Sequence, residues 1–423
     1  MIALGRNAAW LLGGRLGADA LNFVLFIVIT RRFGPEGMGL YAYGVAIAGL
    51  VYSATTLGIE EYGIREYARH GSEQRRRLVA ELLGAQACIA GAVVIVLAIY
   101  LLLTRPSPTV LTIVLTLTLY QMGSAFSGTL FVPAMATQHM AGPALTGLLS
   151  RGFAMFAVMG LILIAELPLW LALLPFAGAG VLMCALSAHS AATFGASMRP
   201  HFSLTTLRDG ARTLWSFAAV NVLGQIFVRI GVIVLSLRSG NAAAGLYASG
   251  LKLVEIACLP LLFIGVAAYP RLAEGFRQSA FPRLAVQTLA IGMLLSIAAG
   301  MGFFLVMPYA LVPLFGERYA GAEPIIAAMG ALIFVCNLEI VLGRLLLAAN
   351  RQVTRAGWLS IGACVCVCAT ILTVPVAGID AAIASIVASY AFVVTMYALT
   401  LIALRRHKIP TATAIAPGAG GTR

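Results

Sequence analysis

The sequence predicts an all-α polytopic membrane protein of about twelve transmembrane helices in two parallel six-helix halves. Composition, the length of the apolar segments and an internal repeat all lead to this fold class. Of 423 residues, 61% are hydrophobic and only 10% charged, and mean hydropathy is +0.97. Soluble domains carry about 45–50% apolar and about 25% charged residues. A globule of the present composition could not cover its surface in water, which excludes a soluble enzyme. The same composition excludes a disordered or nucleic-acid-binding chain, despite a net charge of +13 and a pI near 9.8.

Apolar segments fall at 7–30, 38–59, 80–103, 109–132, 142–165, 168–189, 213–237, 245–269, 285–307, 323–348, 355–375 and 379–404. A helical span needs roughly 20 residues, whereas a barrel strand has about 9–11 with strict alternation, so each segment reads as a helix. The first contains Arg15 and Asp19, and the apolar stretch between Arg6 and Arg15 is too short for a cleavable signal, so the N-terminus is expected to start this span. The second ends at Glu60 and Glu61, placed at the interface. The fourth to sixth have Pro133, Pro143 and Pro175 in or beside them, and Pro260 and Pro375 mark the eighth and eleventh as candidate kinks. A charged connection with Pro200 follows the sixth. Asp380 stands at the start of the twelfth, where a capping role is favoured. The predicted organisation is an N-terminal lobe (1–190), a cytoplasmic linker (191–212), a C-terminal lobe (213–404) and a cytoplasmic tail (405–423).

Basic residues set the orientation. With both termini in the cytoplasm, the inner connections and termini hold 19 of the 28 Lys and Arg, among them Arg65, Arg69, Arg75, Arg76, Arg77, Arg151, Arg351 and Arg355. The outer loops hold five: Arg31, Arg32, Arg105, Arg238 and Arg318. Such a split is strongly positive-inside, and one span more or fewer would scramble it. Arg15, Arg229, Lys252 and Arg344 fall within spans.

The chain repeats itself. Residues 32–44 (RFGPEGMGLYAYG) and 238–250 (RSGNAAAGLYASG) share seven of thirteen positions at a constant offset of 206, including Gly39/Gly245 and Tyr41/Tyr247. About one match is expected by chance, so this is an internal repeat. The offset spans six helices, an even number, which makes the two halves parallel about an axis along the membrane normal.

Charged groups inside a span face a partner or a water-filled cavity. On the first span Arg15, Asp19 and Asn22 fall within about 60° of one another at 100° per residue. On the seventh, Asn221, Gln225 and Arg229 form a similar stripe, and the offset aligns Asn221 with Arg15 and Gln225 with Asp19. The eighth carries Lys252 and Glu255, which can pair at i, i+3. The tenth carries Asn337, Glu339 and Arg344, the last near the span end, where it can snorkel. Arg15, Asp19, Asn22, Asn221, Gln225, Arg229, Lys252, Glu255 and Glu339 are therefore the candidate lining of a central cavity. Its cations suit an anionic, phosphate-bearing ligand, and its acids could titrate. The seven cysteines lie in apolar runs without a C-x-x-C pair, and the five histidines show no metal-ligand spacing. No metal or cofactor is expected, and with no G-x-x-x-x-G-K-[ST] loop, ATP-driven pumping is not expected either.

The run Arg31-Arg-Phe-Gly-Pro-Glu-Gly-Met-Gly-Leu-Tyr-Ala-Tyr43 resembles the signature of bacterial polysaccharide-biosynthesis transporters, the O-antigen or oligosaccharide flippases. Ala244-Gly-Leu-Tyr-Ala-Ser249, Tyr269-Pro-Arg-Leu272, Leu314-Phe-Gly-Glu-Arg-Tyr319 and Leu346-Leu-Ala-Ala-Asn-Arg351 are similar to later elements of that family. The resemblance implies the V-shaped fold of the multidrug/oligosaccharidyl-lipid/polysaccharide exporter superfamily. It implies movement of an undecaprenyl-diphosphate-linked oligosaccharide from the cytoplasmic to the periplasmic leaflet of the bacterial inner membrane, with Arg15, Arg229 and Lys252 as the cationic cavity residues. Implied partners are the lipid-linked substrate, membrane lipids, and a polysaccharide polymerase with its chain-length machinery. A multidrug/proton antiporter of the same fold is the alternative, disfavoured because cationic drugs require an acidic cavity. A membrane glycosyltransferase is a third reading, disfavoured by the absence of a fitting acid/base cluster in loops of about 20 residues.

Overall fold

The computed structural model describes residues 2–69, 71–202, 204–277 and 281–406. Every regular element among them is helical: α1 (Ile2–Thr56), α2 (Ile59–Arg69), α3 (Ser72–Thr104), α4 (Pro108–Leu130), α5 (Val132–Ala136), α6 (Ala141–Leu163), α7 (Leu169–Ala172), α8 (Pro175–Thr193), α9 (Leu204–Arg238), α10 (Asn241–Arg277), α11 (Phe281–Phe315), a 3-10 turn (Glu317–Tyr319), α12 (Glu323–Ala328), α13 (Gly330–Ala348) and α14 (Gln352–Arg406).

Ten described stretches are long and apolar enough to cross a bilayer, and two of them, Gly17–Arg69 and Gln352–Leu404, run 53 residues each. A straight helix of that length would measure about 80 Å, against a hydrocarbon core of about 30 Å. Each holds two spans joined at a glycine: Gly34 (φ 68°, ψ −166°) in α1 and Gly378 (φ 56°, ψ −128°) in α14. A residue without Cβ takes positive φ at no steric cost. The two arms of α14 run antiparallel. Trp358 Nε1 donates to Thr400 Oγ1 at 3.2 Å, the Tyr397 hydroxyl donates to the Arg355 carbonyl at 3.2 Å, and the Thr373 and Ser385 hydroxyls lie 3.2 Å apart. The ten stretches thus make up the twelve expected spans.

Several boundaries differ from the sequence expectation. α9 begins at Leu204, so the later part of segment 191–212 is helix, and the non-helical connection covers 194–202. The predicted tail is helical to Arg406, and 407–423 lie outside the described residues. After Leu57 and Gly58, both at positive φ, the chain turns into the separate helix α2. α2 packs Gly63 so closely that an added Cβ would stand 2.7 Å from Leu82 and 2.9 Å from Val132. Arg75 secures it, donating from Nε to the Tyr67 carbonyl at 2.9 Å with its guanidinium 5.1 Å from the Tyr67 ring centroid. The sixth span is split into α7 and α8 beside Pro175, which has no N–H for a helical bond. The tenth is split into α12 and α13 at Met329.

In the first half α1 packs on α4 and α6, and both of these pack on α8. In the second half α14 packs on α9 and α13, and α13 on α10 and α11. The halves meet where α1 crosses α9 and α10. Apolar side chains such as Leu102, Leu103, Leu294 and Leu372 point outward and exposed, as a hydrocarbon solvent allows.

The contact between halves is made of backbone. A Cβ on Gly39 would lie 1.8 Å from the Asn241 carbonyl oxygen, and one on Gly245 would lie 1.8 Å from the Pro35 carbonyl oxygen. Gly39/Gly245 and Pro35/Asn241 both stand at the repeat offset of 206, so the contact is reciprocal about a pseudo-twofold axis. It lies near the end of the bundle that bears Gly34, Gly240, Gly316 and Gly378, called the closed end below. At the opposite end the connection between halves is tied to α3. His201 N–H donates to the Ala80 carbonyl at 2.8 Å, and the backbone of His201 fills the space a Cβ on Gly84 would need.

Substituting either glycine should be severe. Gly39→Val or Gly245→Val forces a side chain into backbone and is expected to cost about 3 kcal/mol or more, at or above the upper end of ordinary over-packing. Gly91→Val, with nothing within 4 Å of its Cβ position, should be neutral. Thermal unfolding of the detergent-solubilised variants, followed by size exclusion, measures the difference.

Candidate functional site

The polar stripes of the first and seventh spans lead toward the closed end and stop at an apolar seal. On α1, Asp19 and Asn22 are half-buried, and Leu25, Phe26 and Ile29 beyond them are buried. On α9, Asn221 is exposed and Gln225 half-buried, while Phe227 and the run Val232, Ile233, Val234 and Leu235 are buried. Arg15 stands on α1, and its side chain lies outside the described residues. On α10, Lys252 Nζ is 3.0 Å from Glu255 Oε2, and both remain accessible, at 27% and 51%. These residues come from three helices of the two halves and share the side of the seal away from the closed end.

Arg229 marks the inner boundary of the seal. It sits nine residues before Arg238 on α9, about 14 Å along the helix from that end and hence near mid-membrane. Its Nε donates to Gln225 Oε1 at 2.6 Å and its Nη1 to the Val45 carbonyl at 3.1 Å, the second bond crossing from one half to the other. Gly49 leaves the room, since a Cβ there would lie 2.7 Å from Arg229 Cζ. Tyr41 and Glu255 lie within electrostatic reach of the guanidinium. Among the described residues Nη2 has no hydrogen-bond acceptor in the protein, and it lies with Cζ and Nε against Gly49, where an added Cβ would stand 3.0 Å from it.

Glu339 is held differently. Its Oε1 is 3.3 Å from Arg355 Nη2, with side-chain exposures of 13% and 26%. Gly343 makes the space, as a Cβ there would lie 2.9 Å from Arg355 Nε. This pair joins α13 to α14 within the second half. Arg355, counted above as a loop cation, sits in the first turn of α14. Asn337, 1% exposed, is buried in the same half. Arg344 lies against Gly265 of α10, four residues before the end of α13.

Arg151 was also counted with the inner connections, yet it stands ten residues into α6, about 15 Å from that helix end. It lies beside Tyr120 and within electrostatic reach of Tyr52. Tyr52 in turn is near Glu60, whose carboxylate packs on Gly128 of α4. The first half therefore gathers Tyr120, Arg151, Tyr52 and Glu60 into a polar cluster that no motif signals, with Tyr120 itself buried against Phe176. Only its position ten residues inside an apolar segment distinguishes Arg151 from a loop arginine. Among the described residues no three His, Cys, Asp or Glu gather as a metal ion would require.

Breaking the Glu339–Arg355 pair should leave a largely buried, unpaired carboxylate. Arg355→Leu is expected to lower stability by about 3 kcal/mol, and adding Glu339→Gln should recover part of the loss. The unfolding midpoints of the two single variants and the double variant give the coupling.

Residues 4–276 match the model of a family described as polysaccharide biosynthesis protein. No curated protein sequence matches the chain. Solved structures share its fold at low identity. A multidrug resistance MATE family transporter of the MOP superfamily, in an inward-facing conformation, is 12% identical, with 93% of this chain and 96% of that one covered and a TM-score of 0.68. The lipid II flippase MurJ, in an inward closed conformation, is 11% identical over 92% of this chain and 86% of that one, with a TM-score of 0.71. The Vibrio cholerae MATE transporter VcmN, in the bent form, is 12% identical over 95% and 99%, with a TM-score of 0.52. The protein thus has the V-shaped two-lobe architecture of these exporters. Because the family model spans well over half its length, the chain belongs to the polysaccharide biosynthesis protein family.

Proposed function

We propose that the protein flips an undecaprenyl-diphosphate-linked oligosaccharide across the bacterial inner membrane by alternating access, for surface polysaccharide biosynthesis. The observation that carries this reading is a near-mid-membrane arginine, Arg229, bonded across the two halves and edged by accessible polar groups. Membership of a polysaccharide biosynthesis family supports a glycan-bearing substrate. The closed end faces the periplasm in this reading, and the termini the cytoplasm, in line with the basic bias.

Each residue has a role fixed by its chemistry. The diphosphate docks on Arg229, Lys252 and Arg15, because charge-assisted bonds to phosphate are roughly twice as strong as neutral ones. Glu255 holds Lys252 until the substrate arrives, so the ammonium is never left alone in a low-dielectric cleft. Asn22, Asn221 and Gln225 offer amide donors and acceptors to sugar hydroxyls. In the cluster of the first half, Tyr52, Arg151 and Glu60 add aromatic and charged contacts. Asp19 balances the cations of the first span, and Glu339 stabilises the second half through Arg355. The polyprenyl tail stays in lipid between the lobes, and a polymerase with its chain-length machinery receives the product.

Multidrug export is the rival reading, and the cations at the cleft disfavour it. Reconstitution into vesicles with a fluorescent polyprenyl-diphosphate oligosaccharide tests the proposal. Arg229→Ala with Lys252→Ala should slow translocation at least tenfold while the protein stays monodisperse, and an unchanged rate overturns the docking model. Cationic dye efflux by the wild-type protein, with no translocation of the glycolipid, would favour the rival.

A further inference from the structure

Five arginines stand on the side where the orientation rule disfavours cations. Three of them, all at the closed end, have specific partners. Arg31 of α1 donates from Nε to the Leu314 carbonyl at 3.0 Å and from Nη2 to the Pro313 carbonyl. These are two of the last four carbonyls of α11, which have no intrahelical N–H to receive and stand at the negative end of the helix dipole. Arg318, just after α11, reaches back to donate from Nη1 to the Arg32 carbonyl at 3.3 Å. Its stem lies over Gly34, where a Cβ would be 2.8 Å from Arg318 Cδ. Arg32 itself pairs with Glu166 at 3.0 Å, inside the first half. Each half therefore sends one arginine to the backbone of the other.

A dry plug lies beneath this clasp. The Phe26 ring meets Phe315 edge-on at 5.5 Å, Phe315 meets Tyr319 at 5.2 Å, and the Tyr319 and Ser249 hydroxyls are 3.0 Å apart in a buried setting. Beside the plug, five residues in from Gly34 on α1 and from Gly240 at the start of α10, is the reciprocal Gly39–Gly245 contact.

We infer that Arg31 and Arg318 form a releasable latch holding the closed end shut, and that the Gly39–Gly245 contact is the fulcrum about which it opens. The two parts differ in the way such a device requires. The latch bonds are exposed, and their acceptors are backbone carbonyls rather than carboxylates. When they part, water satisfies both sides and no buried ion is stranded. The fulcrum is buried backbone on backbone, with no side chains to interlock, so one half can roll on the other without repacking. The positions of two of the five outward cations follow from this role.

The inference does not depend on which molecule is carried, so its test needs no substrate. In a variant with the seven cysteines replaced, Asn22→Cys places a thiol on the far side of the plug. A membrane-impermeant maleimide is applied to each face in turn, using vesicles of both orientations. With the latch intact, labelling should come from the end opposite Gly34. With Arg31→Ala and Arg318→Ala together, labelling through the closed end should rise at least tenfold, and labelling from the opposite end should fall. Arg105→Ala, which removes a closed-end cation at the C-cap of α3, should change neither. If the double alanine variant fails to insert, Arg31→Lys decides, because a lysine ammonium cannot reproduce the planar fork across two neighbouring carbonyls. An intermediate rise through the closed end is expected for it. Unchanged accessibility in the variants that insert overturns the latch.

Discussion

The two halves of this protein are held in register by a contact that only glycine permits. Lipid tails are as apolar as the helices they surround, so burial from water does not drive spans together, and close packing and interhelical hydrogen bonds must do so. At Gly39 and Gly245 the packing reaches its limit, with each backbone occupying the place of the other's missing side chain. Other geometry depends on this approach. It brings the Val45 carbonyl to Arg229, Phe26 to Phe315, and Arg31 to the end of α11. Separating the two glycines by the width of one methyl group would disturb all three.

The ionisable groups within the membrane divide into kinds that composition cannot separate. Glu339 and Arg355 form a pair that joins α13 to α14, with little surface left for a ligand. Arg229 bridges the halves through neutral acceptors and leaves one donor group without a protein acceptor among the described residues. Lys252 and Glu255 are paired yet accessible, so an incoming anion can compete for the ammonium. A side chain's identity and depth show that it must be accounted for inside the membrane. Its acceptor decides whether that account is structural or functional.

Much of the fold was legible in the sequence, because hydropathy responds directly to the bilayer and the repeat is written in identical residues. The twelve spans and the equivalence of Gly39 and Gly245 in the repeat are of this type, whereas the contact between the two glycines is seen only in the structure. Less legible was whatever depends on a turn of one or two residues. Gly34 and Gly378 reverse the chain without a loop, and Leu57 with Gly58 turns an apparent interfacial tail into α2. In the candidate site, Asn221 and Gln225 follow from the repeat, and Lys252 with Glu255 follows from helical spacing. Arg151 and Arg355 were assigned by sequence position to the connections. Arg355 stands at the edge of its apolar segment and carried no signal of its burial, whereas Arg151 stands well inside one.

The tie between His201 and Ala80 also has a mechanical side. It fixes the end of the connecting segment to the first half three residues before α9 begins at Leu204. Three residues of extended chain span roughly 10 Å. That length is a leash on the start of α9, and it limits how far this helix can swing from α3. A wider aperture requires either that the His201 tie release or that the first turns of α9 unwind. The width of the opening at that end is in this way connected to a single backbone hydrogen bond.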